Sequence, residues 1–255
     1  MRILTSDGSL RPLTLVDSDV HVWRAALDLL PARVREIAEV LSVDERERAH
    51  RLAFERDRRR FIVCRGVLRA ILSRYLGAAP GSLRFQYNRH GKPALSSVSG
   101  EHPLRFSVSH AEETALYGVT LRREIGVDIE HVRAGFATDD IAERFFSRRE
   151  ISSLRTLNPA DRPQAFFRCW TRKEAYIKAR GDGLSLPLSR FAVSLLPDEP
   201  PALLCARDDP QEASRWSLRD LPACPGYVAA IAVEGHDWQL RCRRWAGADM
   251  GDAGP

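Results

Sequence analysis

Two kinds of hydrophobic period follow one another along this 255-residue chain, and each kind occurs twice. Residues 42–75 carry apolar side chains at three- and four-residue steps, which is the period of a helix. Residues 83–130 then alternate in short, β-rich segments that are separated by turn residues. Helical signals return over residues 139–180, and strand-like segments follow over residues 188–245. Because the regular βαβ alternation of a doubly wound sheet is missing, we predict an α+β fold with two similar halves.

Capping residues mark where the predicted helices begin and end. Ser42 with Glu45, and Ser147 with Glu150, have the S-x-x-E form of a capping box, whose side chains bind free backbone N–H groups at a helix start. Gly181 is expected to end the last strong helical pattern, because glycine readily adopts the left-handed conformation after a helix. The first helical stretch has one apolar face. Its opposite face carries arginines, and we expect that face to be a solvated surface with ion pairs to interleaved acids.

Length and composition restrict the class of protein. With 44% hydrophobic content over 255 residues, the chain can bury a sizeable core. The longest apolar run, residues 227–233, is far shorter than the roughly 20 residues of a membrane-spanning helix. The first residues show no secretory signal, and the five cysteines are an odd number without a CxxC pair. These features predict a cytoplasmic protein with reduced cysteines and no membrane partner.

Positive charge is concentrated in the first helical stretch. The net charge is +5, and ten arginines lie between Arg46 and Arg74. A polyanionic partner is therefore expected, and charge alone leaves open a nucleic acid, a nucleotide or an acidic protein. A basic nucleic-acid-binding module would explain the arginines, but it would leave the acidic motifs described next without a role.

Asp128 and Glu130 belong to the segment Gly-Val-Asp-Ile-Glu, in which they are two residues apart. On a strand, both carboxylates would point to the same face and repel each other. A hard cation such as Mg²⁺ relieves that repulsion, since it prefers one or two carboxylates together with phosphate oxygens. The alternative is a strand edge that faces solvent.

A second group of polar residues lies inside the predicted helix that ends at Gly181. Lys173, Glu174 and Lys178 recur with Trp170 at the three- and four-residue steps that place side chains on one helix face. Burying these charges without partners would be costly. Spacing alone equally allows an ordinary surface pair between Glu174 and Lys178.

Ser107, Ser109 and His110 lie on or at the end of a predicted strand. Hydroxyl and imidazole groups at a strand end can donate to phosphate oxygens. A nucleophilic Ser–His pair and a structural histidine are the alternatives, although no G-x-S-x-G elbow surrounds these serines. Upstream, residues 88–93 indicate a tight turn with Lys92 at its exit.

Taken together and in this order, the motifs resemble those of the 4′-phosphopantetheinyl transferase superfamily, and they cover roughly residues 45–195. The matching motifs are Gly91-Lys92-Pro93, Ser107-Val-Ser-His110, Gly126-Val-Asp-Ile-Glu130, Phe146-Ser-Arg-Arg-Glu150 and Trp170-x-x-Lys-Glu-Ala-x-x-Lys178-x-x-Gly181. The length resembles the long, surfactin-synthetase-activating type. That resemblance implies two α+β halves related by pseudo-twofold symmetry, an active site between them and a monomer.

We place the boundary between the halves near Arg123. The N-terminal half, residues 1–123, is expected to supply phosphate contacts for coenzyme A. The C-terminal half, residues 124–245, is expected to supply a magnesium site and a catalytic helix. Residues 246–255 lack apolar periodicity, and we expect them to be a disordered tail.

The resemblance also assigns roles to individual residues. It implies transfer of the 4′-phosphopantetheine group of coenzyme A to a serine of an acyl- or peptidyl-carrier protein, with release of 3′,5′-ADP. The expected magnesium ligands are Asp128, Glu130 and Glu174. The expected coenzyme A contacts are Lys92, Ser109, His110, Lys178, Arg60 and Arg65. Lys178 would also offset charge as the phosphoryl bond breaks, and Glu174 or Glu150 would act as the general base.

Two further alternatives keep the fold but change the activity. One is a relic that binds carrier proteins and transfers nothing, and the other is a magnesium-dependent hydrolase of nucleotide diphosphates. Intact acids and lysines disfavour the first, and the context around Lys173 and Glu174 disfavours the second. The sequence does not choose among fatty-acid, polyketide and nonribosomal-peptide carriers.

Overall fold

The structure is a computed structural model that describes residues 13–96, 103–133, 135–136, 139–181, 183–207 and 209–246. The helices are α1 (Pro31–Ala38), α2 (Val43–His50), α3 (Glu55–Leu76), α4 (Asp139–Phe145), α5 (Arg148–Thr156), α6 (Arg162–Arg180) and α7 (Glu212–Arg215). The strands are β1 (Asp19–Ala26), β2 (Phe85–Tyr87), β3 (Pro93–Leu95), β4 (Leu104–Ala111), β5 (Thr114–Leu121), β6 (Ile125–His131), β7 (Phe191–Val193), β8 (Leu203–Ala206), β9 (Trp216–Asp220), β10 (Tyr227–Glu234) and β11 (Gln239–Arg244). This is the predicted α+β composition.

Each half contains one long helix and one sheet, which is mixed in the first half and antiparallel in the second. The first sheet has the order β11-β1-β5-β4, and the second has the order β6-β10-β9. The pairing of β1 with β11 is parallel and carries the last strand of the chain back to the first half. Short hairpins, β2 with β3 and β7 with β8, complete the two halves. The repeated plan of strand, helices and strands agrees with two similar halves.

Helix α6 ends where the sequence predicts, whereas the predicted helical stretch over residues 42–75 forms two helices, α2 and α3. Helices α3 and α6 are each followed by a glycine in the left-handed conformation, with φ of 62° at Gly77 and 77° at Gly181. The capping boxes predicted at the starts of α2 and α5 are both present. Apolar side chains of α3 and α6 are buried in separate cores, one for each half. A third core lies between the sheets and contains Ile125, Val127 and Ile129 of β6.

Strand β6 therefore has two different faces. The three apolar residues point into the core between the sheets, so Gly126, Asp128 and Glu130 point the other way, toward α6. A Cβ atom on Gly126 would lie 1.9 Å from the backbone oxygen of Ala175 in α6. Only glycine permits this close approach, which brings the carboxylates of β6 next to the catalytic helix expected from the sequence.

Two parts of the chain differ from the sequence-based expectations, and a third is not tested. Arg65 and Arg69 of α3 do not lie on a solvated face: they are 8% and 1% exposed and form ion pairs with the buried Glu45. The sequence analysis did not predict β1, α1 or β9. The expected disordered tail lies, from residue 247 onward, outside the described residues.

Among the residues that the structure describes, no helix has the length and apolar character needed to cross a membrane. The five cysteines are all free thiols, as expected, and burial raises the pKa of the Cys64 and Cys169 thiols.

Candidate active site between the two halves

Asp128 is the most deeply placed acid of the predicted metal motif, with 3% of its surface exposed. Its Oδ1 atom accepts hydrogen bonds from Oγ of Ser109 at 2.8 Å and from Nζ of Lys178 at 2.7 Å. Its Oδ2 atom is buried and has no hydrogen-bond partner among the residues that the structure describes. A buried carboxylate oxygen without a partner is costly, so this atom is suited to a ligand that the protein alone does not supply.

Two serines join the sheets at this point. Ser109 of β4 donates to Asp128, and Ser107 of the same strand accepts a hydrogen bond from the backbone N–H of Val127 at 3.1 Å. Strands β4 and β6 belong to different sheets, so these side chains take the place of ladder hydrogen bonds. The motif Ser107-Val-Ser-His110 therefore aligns the first half with the carboxylates of the second.

Glu130 and Glu174 share the acidic environment of Asp128. Burial, followed by repulsion from Asp128, raises the pKa of Glu130 to about 7. The same two causes raise the pKa of Glu174 above its usual range, while Lys178 acts in the opposite direction. The negative charge of Asp128 thus acts on both Glu130 and Glu174. A cation beside them would relieve the repulsion.

These three residues fit a magnesium ion in chemistry, although they do not form a closed cage. Among the described residues, no group of three or more His, Cys, Asp or Glu side chains is close enough to hold a metal ion by itself. Magnesium often takes only one or two protein carboxylates and fills its other positions with water and substrate phosphates. The unpartnered Oδ2 atom of Asp128 and the raised pKa of Glu130 therefore agree with a site that is completed by substrate.

A cleft of about 430 Å³ lies between the two halves beside these acids. Of the three predicted metal ligands, only Glu174 lines it. Several of the lining residues from the first half are basic or aromatic, and the second half adds residues from α6 and the turn after it. They include Arg48, Phe61, Arg65, Tyr87, His90, Lys92, His110, Glu174, Ile177, Lys178 and Gly183.

His110 stands at the mouth of this cleft. Its pKa is lowered by burial of the ring and then by the positive charges of Lys178 and Arg60. The residue as a whole remains exposed. A neutral imidazole beside cations would gain a proton when an anion enters, which suits a phosphate-binding role.

Besides Lys178, which is paired with Asp128, three cations that the sequence analysis assigns to coenzyme A are already paired with carboxylates. Arg60 binds Asp28 through two hydrogen bonds of 2.8 Å. Arg65 donates to Glu45 at 2.9 Å and to the Tyr87 hydroxyl at 2.7 Å. These partners neutralise the guanidinium groups, and Arg60 does not line the cleft.

Lys92 is the third of these cations, and its ammonium group is bound on two sides. Nζ lies 2.6 Å from Oε2 of Glu124 and 2.8 Å from the backbone oxygen of Ala179. Lys92 lines the cleft, but its charge faces the end of α6.

The structure does not bring Glu150 into the site. Glu150 is 1% exposed, and its carboxylate accepts from Nζ of Lys173 at 2.7 Å and from the backbone N–H groups of Ser147 and Val193. Lys173 is itself fully buried. The expectation that Lys173 and Glu174 share one helix face is therefore wrong: Lys173 points into the C-terminal core, while Glu174 points into the cleft. A substrate hydroxyl in the cleft has no access to Glu150, so of the two proposed bases only Glu174 fits.

Sequence reasoning missed two cleft residues that are suited to a polyanion. Arg48 lines the cleft and its guanidinium lies 5.5 Å from the centre of the Phe61 ring. Arg48 belongs to the arginine-rich stretch, but nothing in that stretch distinguishes it from its neighbours. His90 lies in the predicted turn before Lys92, and its position became apparent only from the fold.

Comparisons with known proteins bear on both halves. Residues 28–119 match the model of the 4′-phosphopantetheinyl transferase N-terminal family, and residues 124–232 match the model of the 4′-phosphopantetheinyl transferase superfamily. The chain is 42% identical to 4′-phosphopantetheinyl transferase HetI of Nostoc sp. strain PCC 7120 over 227 residues, which cover 89% of this chain and 92% of that one. It is 28% identical to 4′-phosphopantetheinyl transferase Sfp of Bacillus subtilis strain 168 over 198 residues, which cover 78% and 84% of the two chains. A solved ACPS-CoA complex of Chronobacterium ammoniagenes aligns with 45% of this chain and 98% of its own length, with 21% identity and a TM-score of 0.35.

Proposed function

The chain belongs to the 4′-phosphopantetheinyl transferase superfamily, and on this premise we propose which of its residues carry out the transfer. The enzyme moves the 4′-phosphopantetheine group of coenzyme A to a serine of a carrier protein, which converts the apo carrier to its holo form. The observation that carries our assignment of residues is the environment of Asp128. Its carboxylate is buried and is held on one side by Lys178, and its other oxygen has no hydrogen-bond partner in the part of the chain that the structure describes.

Coenzyme A would lie in the cleft between the halves, with its pyrophosphate toward α6. Glu174 and Lys178 line that wall of the cleft, and His110 lies at its mouth. Arg48 extends the positive charge toward the first half, where it would meet the remaining phosphate of coenzyme A. Ser109 supports this arrangement indirectly, because it hydrogen-bonds both Asp128 and Lys178.

Asp128, Glu130 and Glu174 would hold magnesium together with the pyrophosphate. When bound, the ion would neutralise charge on the diphosphate and polarise its oxygens. Three acids around one diphosphate would otherwise repel it, so a cation is required by the charge of the site. Lys178 supplies a further positive charge in the same place.

In the transfer step, the hydroxyl oxygen of the carrier serine forms a bond to the β-phosphorus of coenzyme A. The bond from that phosphorus to the 3′,5′-ADP oxygen breaks, and 3′,5′-ADP leaves. Glu174 accepts the serine proton, directly or through one water molecule. Lys178 stabilises the negative charge that develops on the 5′-phosphate of the leaving 3′,5′-ADP. Because phosphoryl-type transfer depends mainly on positioning and charge, these residues supply the proton acceptor and the positive charge that the protein contributes to the step.

Several broader features remain part of this proposal. We place the boundary between the halves near Arg123 and expect a cytoplasmic monomer of the long, surfactin-synthetase-activating type. A role in secondary metabolite biosynthesis would follow from carriers of polyketide or peptide synthases. No membrane or nucleic-acid partner is part of the proposal.

Intact-mass analysis of an apo carrier protein tests the proposal. The carrier is incubated with the enzyme, coenzyme A and Mg²⁺, with an EDTA-treated sample and an Asp128→Asn variant alongside. We expect the carrier to gain one phosphopantetheine with Mg²⁺ and none with EDTA, and the variant to be at least about a hundredfold slower. Equal rates for Asp128→Asn and the wild type would contradict the metal assignment.

A further inference from the structure

The turn between β2 and β3 holds the C-terminal end of the catalytic helix. Nδ2 of Asn88 donates to the backbone oxygen of Gly181 at 2.8 Å, and Nζ of Lys92 donates to the backbone oxygen of Ala179 at 2.8 Å. The turn belongs to the first half of the chain and α6 to the second. Two carbonyls at the end of α6 thus receive their hydrogen bonds from the opposite half.

The end of a helix is where such contacts have the most effect. The last carbonyl groups of a helix lack partners within it, and they carry the negative end of the helix dipole. An ammonium group at this position satisfies a carbonyl and interacts favourably with the dipole. Ala179 follows Lys178 directly in sequence, so a shift of the helix end would also displace the catalytic lysine.

Glu124 holds Lys92 in this orientation. Its Oε2 atom lies 2.6 Å from Nζ of Lys92, and its Oε1 atom accepts from Nε of Arg105 at 2.9 Å. Glu124 is the residue before β6, the strand that carries Asp128. The carboxylate therefore connects the turn both to the end of α6 and to the start of the strand that carries the metal motif.

The turn itself is organised by the same asparagine. Oδ1 of Asn88 accepts from the backbone N–H groups of His90 and Lys92, both at 2.9 Å. One face of Asn88 therefore shapes the turn while its amide N–H group reaches across to Gly181. Neither Asn88 nor Glu124 lines the cleft in which we place coenzyme A.

We propose that Asn88, Lys92 and Glu124 are positioning residues that form an interhalf clasp, which fixes the end of α6 so that Glu174 and Lys178 face the substrate. The inference rests on the proposed transfer reaction and deepens it. It also gives Lys92 a role other than phosphate binding, because its charge is used between Glu124 and the helix end. The clasp acts through the catalytic residues, so its loss should affect turnover more than coenzyme A binding.

The test uses Asn88→Asp and Glu124→Ala in the full chain. Aspartate at 88 keeps the acceptor for the two backbone N–H groups, but it has no donor for the Gly181 oxygen. Alanine at 124 removes the carboxylate that orients Lys92. We expect each variant to lower kcat by about tenfold, while KM for coenzyme A changes by less than about threefold. In the double variant the two effects should be less than additive, because both act on one helix end.

Asp17→Asn is the matched control, because it removes an exposed ion pair with Arg122 outside the cleft. It should leave both constants unchanged. Urea unfolding of each variant distinguishes a loss of turnover from a loss of folded protein. If Glu124→Ala is unstable, Glu124→Gln takes its place in the test.

The alternative outcome is equally specific. If Lys92 is instead a phosphate ligand that Glu124 competes for, Glu124→Ala should lower KM for coenzyme A and leave kcat unchanged. That result, or wild-type kcat in Asn88→Asp, would overturn the clasp. A wild-type enzyme that modifies no carrier protein would instead overturn the proposed transfer reaction, so the two failures are distinguishable.

Discussion

The Nζ atom of Lys178 lies 2.7 Å from Oδ1 of Asp128, so an ion pair joins the last turn of α6 to strand β6. The same ammonium group donates to Oγ of Ser109 on β4 at 2.9 Å. One lysine therefore connects three elements that come from both halves. It also gives Asp128 a counter-ion in a position where an unpaired charge would be costly.

Lys178→Met should lower kcat by about a hundredfold, because the 5′-phosphate of the leaving 3′,5′-ADP would develop its negative charge without a nearby ammonium group. It should also lower the free energy of unfolding by about 2 kcal/mol, since Asp128 is left buried without its ion-pair partner. Steady-state kinetics with saturating Mg²⁺ and urea unfolding measure the two effects. Lys178→Arg keeps the charge and should recover part of each. A kcat within threefold of wild type in Lys178→Met would exclude the role that we assign to this residue.

Magnesium binding to the protein without coenzyme A should depend on pH through Glu130. Burial and the charge of Asp128 raise the pKa of Glu130 to about 7, and Mg²⁺ binds the ionised form. The affinity at pH 6 should therefore be about tenfold weaker than at pH 8. Calorimetric titration measures it, and Glu130→Gln should bind weakly at both pH values. If the wild type binds Mg²⁺ with the same affinity at pH 6 and pH 8, this prediction is wrong.

The same raised pKa has a consequence for stability without metal. The folded protein keeps the Glu130 proton up to about pH 7, whereas the unfolded chain loses it near its ordinary value of 4.5. The contribution of this group to stability is therefore fully present below about 4.5 and is lost as the pH rises through 7. Urea unfolding of the metal-free protein between pH 5 and 8 should show this loss, and Glu130→Gln should reduce it.

Glu150→Gln should destabilise the protein without removing its chemistry. The variant leaves the buried Lys173 without a carboxylate, which should cost about 3 to 5 kcal/mol. Folded enzyme should nevertheless keep kcat within about threefold of wild type, whereas Glu174→Gln should lower it by about a hundredfold or more. Urea unfolding and kinetics per mole of folded protein separate the two effects. The opposite pattern would make Glu150 the general base.

Much of the fold could be predicted because its signals are local. Capping boxes at Ser42 and Ser147, the stop at Gly181 and the period-two segments all depend on neighbours in sequence. The position of strand β1 was not predicted, because it lies between β5 and β11, which comes from near the other end of the chain, with Asp19 opposite Gln239. Long-range pairing of this kind depends on the tertiary fold.

The functional site likewise has some features that follow from local sequence and others that depend on the tertiary fold. The carboxylates of Asp128 and Glu130 share a face because a strand has a period of two, and that prediction needed no tertiary information. The divergence of Lys173 from Glu174 could not be predicted, because adjacent helical positions differ in direction and only packing decides which one faces the core. The pairing of Lys92 with Glu124 likewise depends on contacts across 32 residues of sequence.

Gly126→Ala should disrupt the approach of β6 to α6. The added Cβ atom would lie 1.9 Å from the backbone oxygen of Ala175, and backbone atoms on both sides have little room to move. We expect a loss of about 3 kcal/mol in the free energy of unfolding and a strong loss of transfer activity. Gly81→Ala is the control, because a Cβ atom there would meet only Val40 at ordinary contact distance. Wild-type stability of Gly126→Ala would show that the two elements separate more easily than their packing indicates.

His21, on strand β1 and outside the lining of the cleft, should make the protein sensitive to acid. The imidazole is 1% exposed, its Nδ1 atom lies 2.7 Å from the Tyr75 hydroxyl, and its Nε2 atom has no hydrogen-bond partner among the described residues. Burial, followed by the charge of Arg243, lowers its pKa from 6.5 to about 4, against the opposing effect of Asp19. Arg241 also faces it and acts in the same direction as Arg243.

The unfolded chain therefore binds a proton at His21 below pH 6.5, while the folded protein stays neutral there until about pH 4. Stability should be complete above 6.5 and should fall by up to about 3 kcal/mol as the pH drops to 4. His21→Phe removes the titrating group and keeps a ring of similar size in the core. Its free energy of unfolding in urea should fall less steeply over the same pH range. If the free energy of unfolding falls equally steeply in the variant and the wild type, His21 binds protons equally in the folded and unfolded states. Other groups would then account for the acid sensitivity.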